Sequence, residues 1–223
     1  MGVGDWPALV ADERQPVLAA ETWDALAVTE IPPLVGSCAL ALDRTPDGRL
    51  WTLAAAWRTQ DAIHIEIGYH QHASNHEVLA KVMTFIAELD PCALIIDAKS
   101  SAASLRPYLA ENGVEATLTT TGEFITACGA LVDDVNASKI SHSAQAVLDA
   151  SVASGGRREF PAGGWAWDKR SPEGTISPLV AASLAHFGLL TFGPTIAPPK
   201  QTPIPLADTT TTASDPDWSR IPF

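Results

Sequence analysis

Hydrophobic and polar positions fall into two rhythms along the middle of the chain. Residues 37–43 form a short apolar run, Ser-Cys-Ala-Leu-Ala-Leu, that ends in Asp43. Thr45-Pro46-Asp47-Gly48 is a turn signal, and residues 50–57 resume as a second strand. Asp61-Ala62 closes a hairpin, and Ile63-His64-Ile65-Glu66-Ile67 alternates with the period of two expected of a third strand. The rhythm then changes. After Ser74 or Asn75, either of which can cap a helix, Val78, Leu79, Val82, Phe85, Ile86 and Leu89 recur on one helical face as far as about Glu88. Residues 92–96 are almost wholly apolar, as in a strand buried on both faces, and again an acid follows, Asp97. A helix over 102–111 stops at Asn112-Gly113, and a fifth strand covers 114–118. Residues 122–135 and 144–153 read as helices, and 157–160 with 164–167 as a short hairpin. Ser177 is expected to cap a last helix with Pro178 at its first position and Gly188 at its end.

Three strands in a meander, then alternating helix and strand, define an α/β class. The expected architecture is a mixed five-stranded sheet, its first three strands antiparallel, flanked by helices. That order resembles the ribonuclease H-like fold, and fold alone does not name chemistry. The periodic signal occupies 37–190, the expected ribonuclease H-like domain. Residues 1–36 hold six acids, one arginine and four prolines and read as an acidic lead-in, with a short helix possible near 21–27. Residues 191–223 hold seven prolines and seven threonines and read as a disordered tail, because they cannot bury enough apolar surface to offset chain entropy. Asp217-Trp218-Ser219-Arg220 within it reads as part of a floppy terminus rather than a docking motif.

Composition narrows the classes. The 223 residues carry 14 Lys and Arg against 26 Asp and Glu, a net charge of −12. A general coat for nucleic acid is excluded, because phosphate would repel the average field. No apolar run reaches membrane length and no signal peptide opens the chain. Three scattered cysteines and no C-x-x-C pair point to buried thiols in a reducing compartment and away from structural zinc.

The two strand-ending acids carry the candidate chemistry. If the first and fourth strands lie parallel and adjacent, Asp43 and Asp97 emerge together at the carboxyl edge, where open α/β sheets hold their ligands. Two neighbouring carboxylates repel, and a divalent cation with oxygen ligands relieves that repulsion.

At these residues the chain resembles the C-terminal nuclease domain of the phage large terminase subunit, in its actinophage-type branch. The resemblance rests on Ala39-Leu-Ala-Leu-Asp43 with Pro46-Asp47, Ala93-Leu-Ile-Ile-Asp97, Ala127-Cys-Gly-Ala130 with Asp133, and Leu148-Asp149-Ala150. Trp165-Ala-Trp167 with Lys169-Arg170 and Ile176-Ser-Pro-Leu-Val-Ala-Ala182 complete it, over roughly residues 20–190. It implies a metal-dependent endodeoxyribonuclease that cleaves concatemeric viral DNA during packaging, in the host cytoplasm, with two Mg²⁺ or Mn²⁺ ions. Asp43 and Asp97 match the first two metal acids. Relatives place a third acid just before Ile-Ser-Pro-Leu, where this chain has Thr175. Glu173 is then the expected third ligand, with Asp168 as its substitute. With 36 residues ahead of the first strand and no G-x-x-x-x-G-K-[ST], the reading is of a nuclease domain alone. Double-stranded DNA, a separate ATPase subunit, a small terminase subunit and the portal are the implied partners. Two alternatives remain: a catalytically degenerate packaging module of the same fold, or another ribonuclease H-like nuclease such as a junction resolvase.

Five of the 14 cationic residues, Lys139, Arg157, Arg158, Lys169 and Arg170, fall within 32 residues that hold three acids. With His142 they are the expected DNA contacts, since screening limits distant acids to about a Debye length, ~8 Å. His64, His70, His72 and His76 read as loop and surface histidines. Ser100-Ser101 reads as a helix cap, not a nucleophile. One of Trp165 and Trp167 is expected in the core, and Asp133, Asp134 and Asp149 on solvated faces or against Lys139.

Overall fold

The computed structural model describes residues 16–161, 163–170 and 175–194. Strands β1 (Val35–Arg44), β2 (Leu50–Arg58), β3 (Ile63–His72), β4 (Ala93–Asp97), β5 (Thr117–Thr119) and β6 (Ile140–His142) form one mixed sheet in the order β5-β4-β1-β2-β3-β6. The expected count of five is corrected to six. Ile140-Ser141-His142 is too short, and too polar at two of its three positions, to show as a strand by pattern. The first three strands are the antiparallel meander, while β4 runs parallel to β1 and β6 parallel to β3. A separate hairpin joins β7 (Arg157–Glu159) and β8 (Trp165–Trp167).

Alternation along β1 sorts two cores. Cys38, Leu40 and Leu42 face α2 (Asn75–Leu89), a 3₁₀ turn at Ser101–Leu105 and α3 (Arg106–Glu111). Ala39 and Ala41, with Ala54 and Ala56 of β2, face α4 (Thr121–Asn136), α5 (Ala146–Ala153) and α6 (Ser177–Phe192). The alanines matter because α6 is apolar nearly all round and buried from Ser177 to Leu189 except near Phe187. Small side chains let it lie close to the sheet. Gly188 sits at the closest approach, where an added Cβ would meet Ile95 Cγ1 at 2.6 Å and Ala39 Cβ at 3.2 Å. Gly188 therefore does not end the helix, as expected from sequence; it lets the helix pass the sheet, and the helix continues to Phe192.

Helix α2 starts with a capping box, Ser74 accepting from the Glu77 amide and Glu77 from the Ser74 amide. Thr120 and Glu123 repeat the device at α4. Ahead of the sheet, α1 (Ala20–Asp24) places Trp23 in the α6-side core, stacked on His142 with ring centroids 4.0 Å apart. The Trp23 indole donates to Asp149, and the Val28 amide to the His142 carbonyl, so this segment covers the β6 edge. His142 is thus fully buried and accounted for within the protein, which removes it from the expected DNA contacts. His64 is likewise interior, bonded to Ser141 and Glu66, and is not the surface histidine expected. Asp134 of α4 binds His186 of α6 at 2.8 Å, and this hydrogen bond holds its carboxyl below the ordinary value of 3.8. Residues 1–15 of the acidic lead-in and 195–223 of the expected disordered tail lie outside the described residues, while Thr191 and Phe192, assigned to that tail, complete α6.

Gly188→Ala should overpack the sheet–helix contact and cost about 1–3 kcal/mol in urea denaturation. A pH effect is expected at Asp134. Because its folded pKa is depressed, its contribution is present above 3.8 and is lost as pH falls through the lower folded value. The stability difference between the natural chain and Asp134→Asn should therefore shrink on acidification below that point.

Candidate metal and phosphate site at the sheet edge

The β1–β4 register pairs Leu42 with Ile96, so the next residue of each strand, Asp43 and Asp97, leaves the sheet at the same edge. Both acids are nearly inaccessible, 1% and 4% exposed. Burying like charges side by side requires partners, and the structure supplies four of them from three segments. The Ser100 hydroxyl, in the turn after β4, donates to Asp43 Oδ1 at 2.7 Å while accepting from the Ala102 amide. The Ser177 hydroxyl, at the start of α6, donates to Asp43 Oδ2 at 2.9 Å. The Lys99 amide donates to Asp97 Oδ1 at 3.0 Å. Lys169, just beyond β8, places its Nζ between the acids, 3.1 Å from Asp43 Oδ1 and 3.0 Å from Asp97 Oδ2. Burial disfavours the charge on that amine, but the Asp43 and Asp97 charges and hydrogen bonds outweigh it and raise its pKa. The Phe124 ring lies 4.9 Å from the same nitrogen.

Two clefts open beside the acid pair. One, of about 360 Å³, is lined by Asp43, Thr45, Asp47, Lys169, Thr175 and Ser177 among others. The second, of about 430 Å³, has Asp97 with Arg44, Lys99, Arg158, Lys169 and Arg170 in its walls. The basic wall is what a polyanion beside two acids needs.

The sequence-derived candidates divide accordingly. Asp43, Asp97, Lys169, Arg158 and Arg170 come together. Arg157 points to the other face of its strand and covers the Trp165 ring at 4.3 Å. Lys139 precedes β6, which starts level with Ile63, Arg58 and Val35. That is the opposite end of the sheet, roughly 20 Å from Asp43 along the strands. Asp168 turns its Oδ1 to the Arg170 amide at 3.1 Å and lines neither cleft. Glu173 lies outside the described residues. Among the described residues no group of three His, Cys, Asp or Glu side chains is placed to hold a metal ion. Thr175, at the position where the resemblance expects an acid, does line the first cleft with Asp43.

Sequence reasoning missed Arg44 and Lys99, although each stands within two residues of a strand-ending acid. It also read Ser100 and Ser177 as caps alone. Ser100 does cap its turn, but Ser177 is the first residue of α6, not its cap, and both hydroxyls donate to Asp43. Trp167 is the tryptophan in the core, its indole donating to Ser183 at 2.8 Å.

No protein-family profile matches the chain, and no curated protein matches it. Solved structures do. The HK97 bacteriophage large terminase aligns with a TM-score of 0.66 and 15% identity over 78% of this chain. The large terminase of a thermophilic bacteriophage gives 0.60 and 15% over 81%. The large terminase nuclease of thermophilic phage G20c with bound magnesium gives 0.55 and 10% over 74%. The chain has the fold of a phage large terminase nuclease domain. It spans 43% of the HK97 protein and 94% of the G20c nuclease. Among the described residues no helix is long and apolar enough to cross a membrane.

Because the Asp43 carboxylate is buried and charged, each serine that serves it should matter more than a surface hydroxyl. Ser177→Ala and Ser100→Ala should each lower unfolding free energy by about 1.5–3 kcal/mol, measured by urea titration.

Proposed function

We propose that this chain is a divalent-metal-dependent endodeoxyribonuclease of the terminase type, cutting duplex DNA. The observation that carries the reading is the pair Asp43 and Asp97, adjacent at the sheet edge with one cation shared between them. The donor chemistry fits Mg²⁺ or Mn²⁺: two hard carboxylates in a site that already selects a positive group. Asp43 would be common to two ions and Asp97 would hold one, with Glu173 as the proposed third acid. The bound ions would supply an activated water and neutralise charge on the phosphodiester, leaving a 3′-hydroxyl and a 5′-phosphate.

The chain's own residues do the remaining work. Ser100 and Ser177 fix both oxygens of Asp43, so the carboxylate is oriented before anything binds. Arg44, Lys99, Arg158 and Arg170 line the cleft beside Asp97 and would hold backbone phosphates on either side of the cut. Arg44 stacks on Trp51 at 4.4 Å and Arg158 on Phe160 at 4.6 Å, which stiffens two otherwise floppy side chains. The partners that accompany this reading are DNA, a packaging ATPase, a small terminase subunit and the portal, in the cytoplasm of an infected host.

A second reading is favoured by one observation. Lys169 neutralises the acid pair while Thr175 stands where a third acid is expected, as in a site that has lost cleavage and keeps an interaction role.

Nicking of supercoiled plasmid in Mn²⁺ separates the readings. The natural chain should nick and Asp43→Ala should not. If neither nicks and Thr175→Asp acquires activity, the non-catalytic module is correct. For DNA binding, Arg158→Ala and Arg170→Ala should each flatten the plot of log affinity against log salt by about one unit.

A further inference from the structure

The acid pair offers four carboxylate oxygens, and the structure assigns a partner to every one. Asp43 Oδ2 is taken by Ser177 and Asp97 Oδ1 by the Lys99 amide. The two that face each other, Asp43 Oδ1 and Asp97 Oδ2, are both held by the Lys169 ammonium. A divalent ion shared by the two acids takes an oxygen of each at roughly 2.0–2.6 Å, and these are the two that already converge on a single cation. An ammonium cannot remain at hydrogen-bonding distance from both while such an ion sits between them, since two cations would then occupy one shell. Metal entry and lysine departure are one exchange.

We propose that Lys169 is the resident cation of this site, an intramolecular competitor that a divalent ion must displace. The inference rests on the metal-dependent reading above and adds its control element. Three features make the occupancy more than a chance surface ion pair. Both acids are buried, so without a cation the pair would carry two uncompensated interior charges. The lysine side chain is itself only 21% exposed and lies against the Phe124 ring. Its backbone follows β8 directly, and β8 is fixed by the buried Trp167 and its bond to Ser183, so the amine is delivered from a firm base.

The competitor reduces apparent metal affinity by the fraction of time the amine is away. It also keeps the metal-free site folded, sparing it the repulsion of two bare carboxylates. The amine has a second place to go, since Lys169 lines the basic cleft as well as the acidic one.

The test is Mn²⁺ titration of the full chain by calorimetry, with thermal melts of the same samples. Lys169→Met and Lys169→Gln should bind Mn²⁺ at least about tenfold more tightly than the natural chain. Their metal-free melting temperatures should fall, and Mn²⁺ should raise them further than it raises the natural chain. Lys169→Arg, which keeps a cation, should stay close to the natural affinity. Lys169→Gln retains a hydrogen-bonding side chain and serves if the methionine variant does not fold. Adding Asp97→Asn to Lys169→Gln should abolish the gained binding. Equal or weaker Mn²⁺ binding by the variants, with clear binding by the natural chain, overturns the competitor and leaves the metal reading standing. Absence of Mn²⁺ binding in all of them overturns both.

Discussion

Two negative charges are buried next to each other where β1 and β4 leave the sheet, and much of the second half of the chain is arranged around that fact. Parallel pairing in register makes the proximity unavoidable: once Leu42 lies beside Ile96, Asp43 must lie beside Asp97. Repulsion between interior carboxylates is costly in a medium of low polarisability. The turn after β4 answers with Ser100 and the Lys99 amide, the start of α6 with Ser177, and the segment after β8 with Lys169. None of these groups is close to Asp43 in sequence, and their common purpose is visible only from the acid outward.

The core supports this edge by a choice of side-chain size. Alanines at 39, 41, 54 and 56 leave one sheet face shallow, and α6 settles into it along its length. A bulkier face would hold the helix off, and its first residue, Ser177, would no longer reach Asp43. Packing at Gly188 and the hydrogen bond at Ser177 are therefore two ends of one rigid contact. The Trp167–Ser183 bond ties the β7–β8 hairpin to the same helix, so the lysine and the serine that serve Asp43 share a single support.

The fold was largely legible because its signals are local. Period-two alternation at 63–67, the capping serine at 74 and the turn at 45–48 each express a short-range preference that the tertiary structure had no reason to override. The strand Ile140–His142 escaped because its hydrogen bonds come from β3 and from the segment at Ala27, not from its own pattern. Gly188 misled for a related reason. A glycine near a helix end suggests a stop, but here a neighbouring strand needed the space. His142 misled because charge grouping along the chain says nothing about Trp23, which lies 119 residues earlier and covers it.

At the site the division is sharper. Residue order alone put an acid at the end of two apolar strands, and it stated the condition, first and fourth strands adjacent and parallel, under which both share an edge; the β1–β4 register meets it. Which cations attend them was not available from order. Lys139 and Lys169 look alike in sequence, and sheet register sends one to the far end and the other between the two acids. Backbone pattern is written in neighbours a few residues apart, whereas the neutralisation of a buried charge is satisfied by whatever the folded chain brings within hydrogen-bonding reach, and that is decided only when the helices have packed.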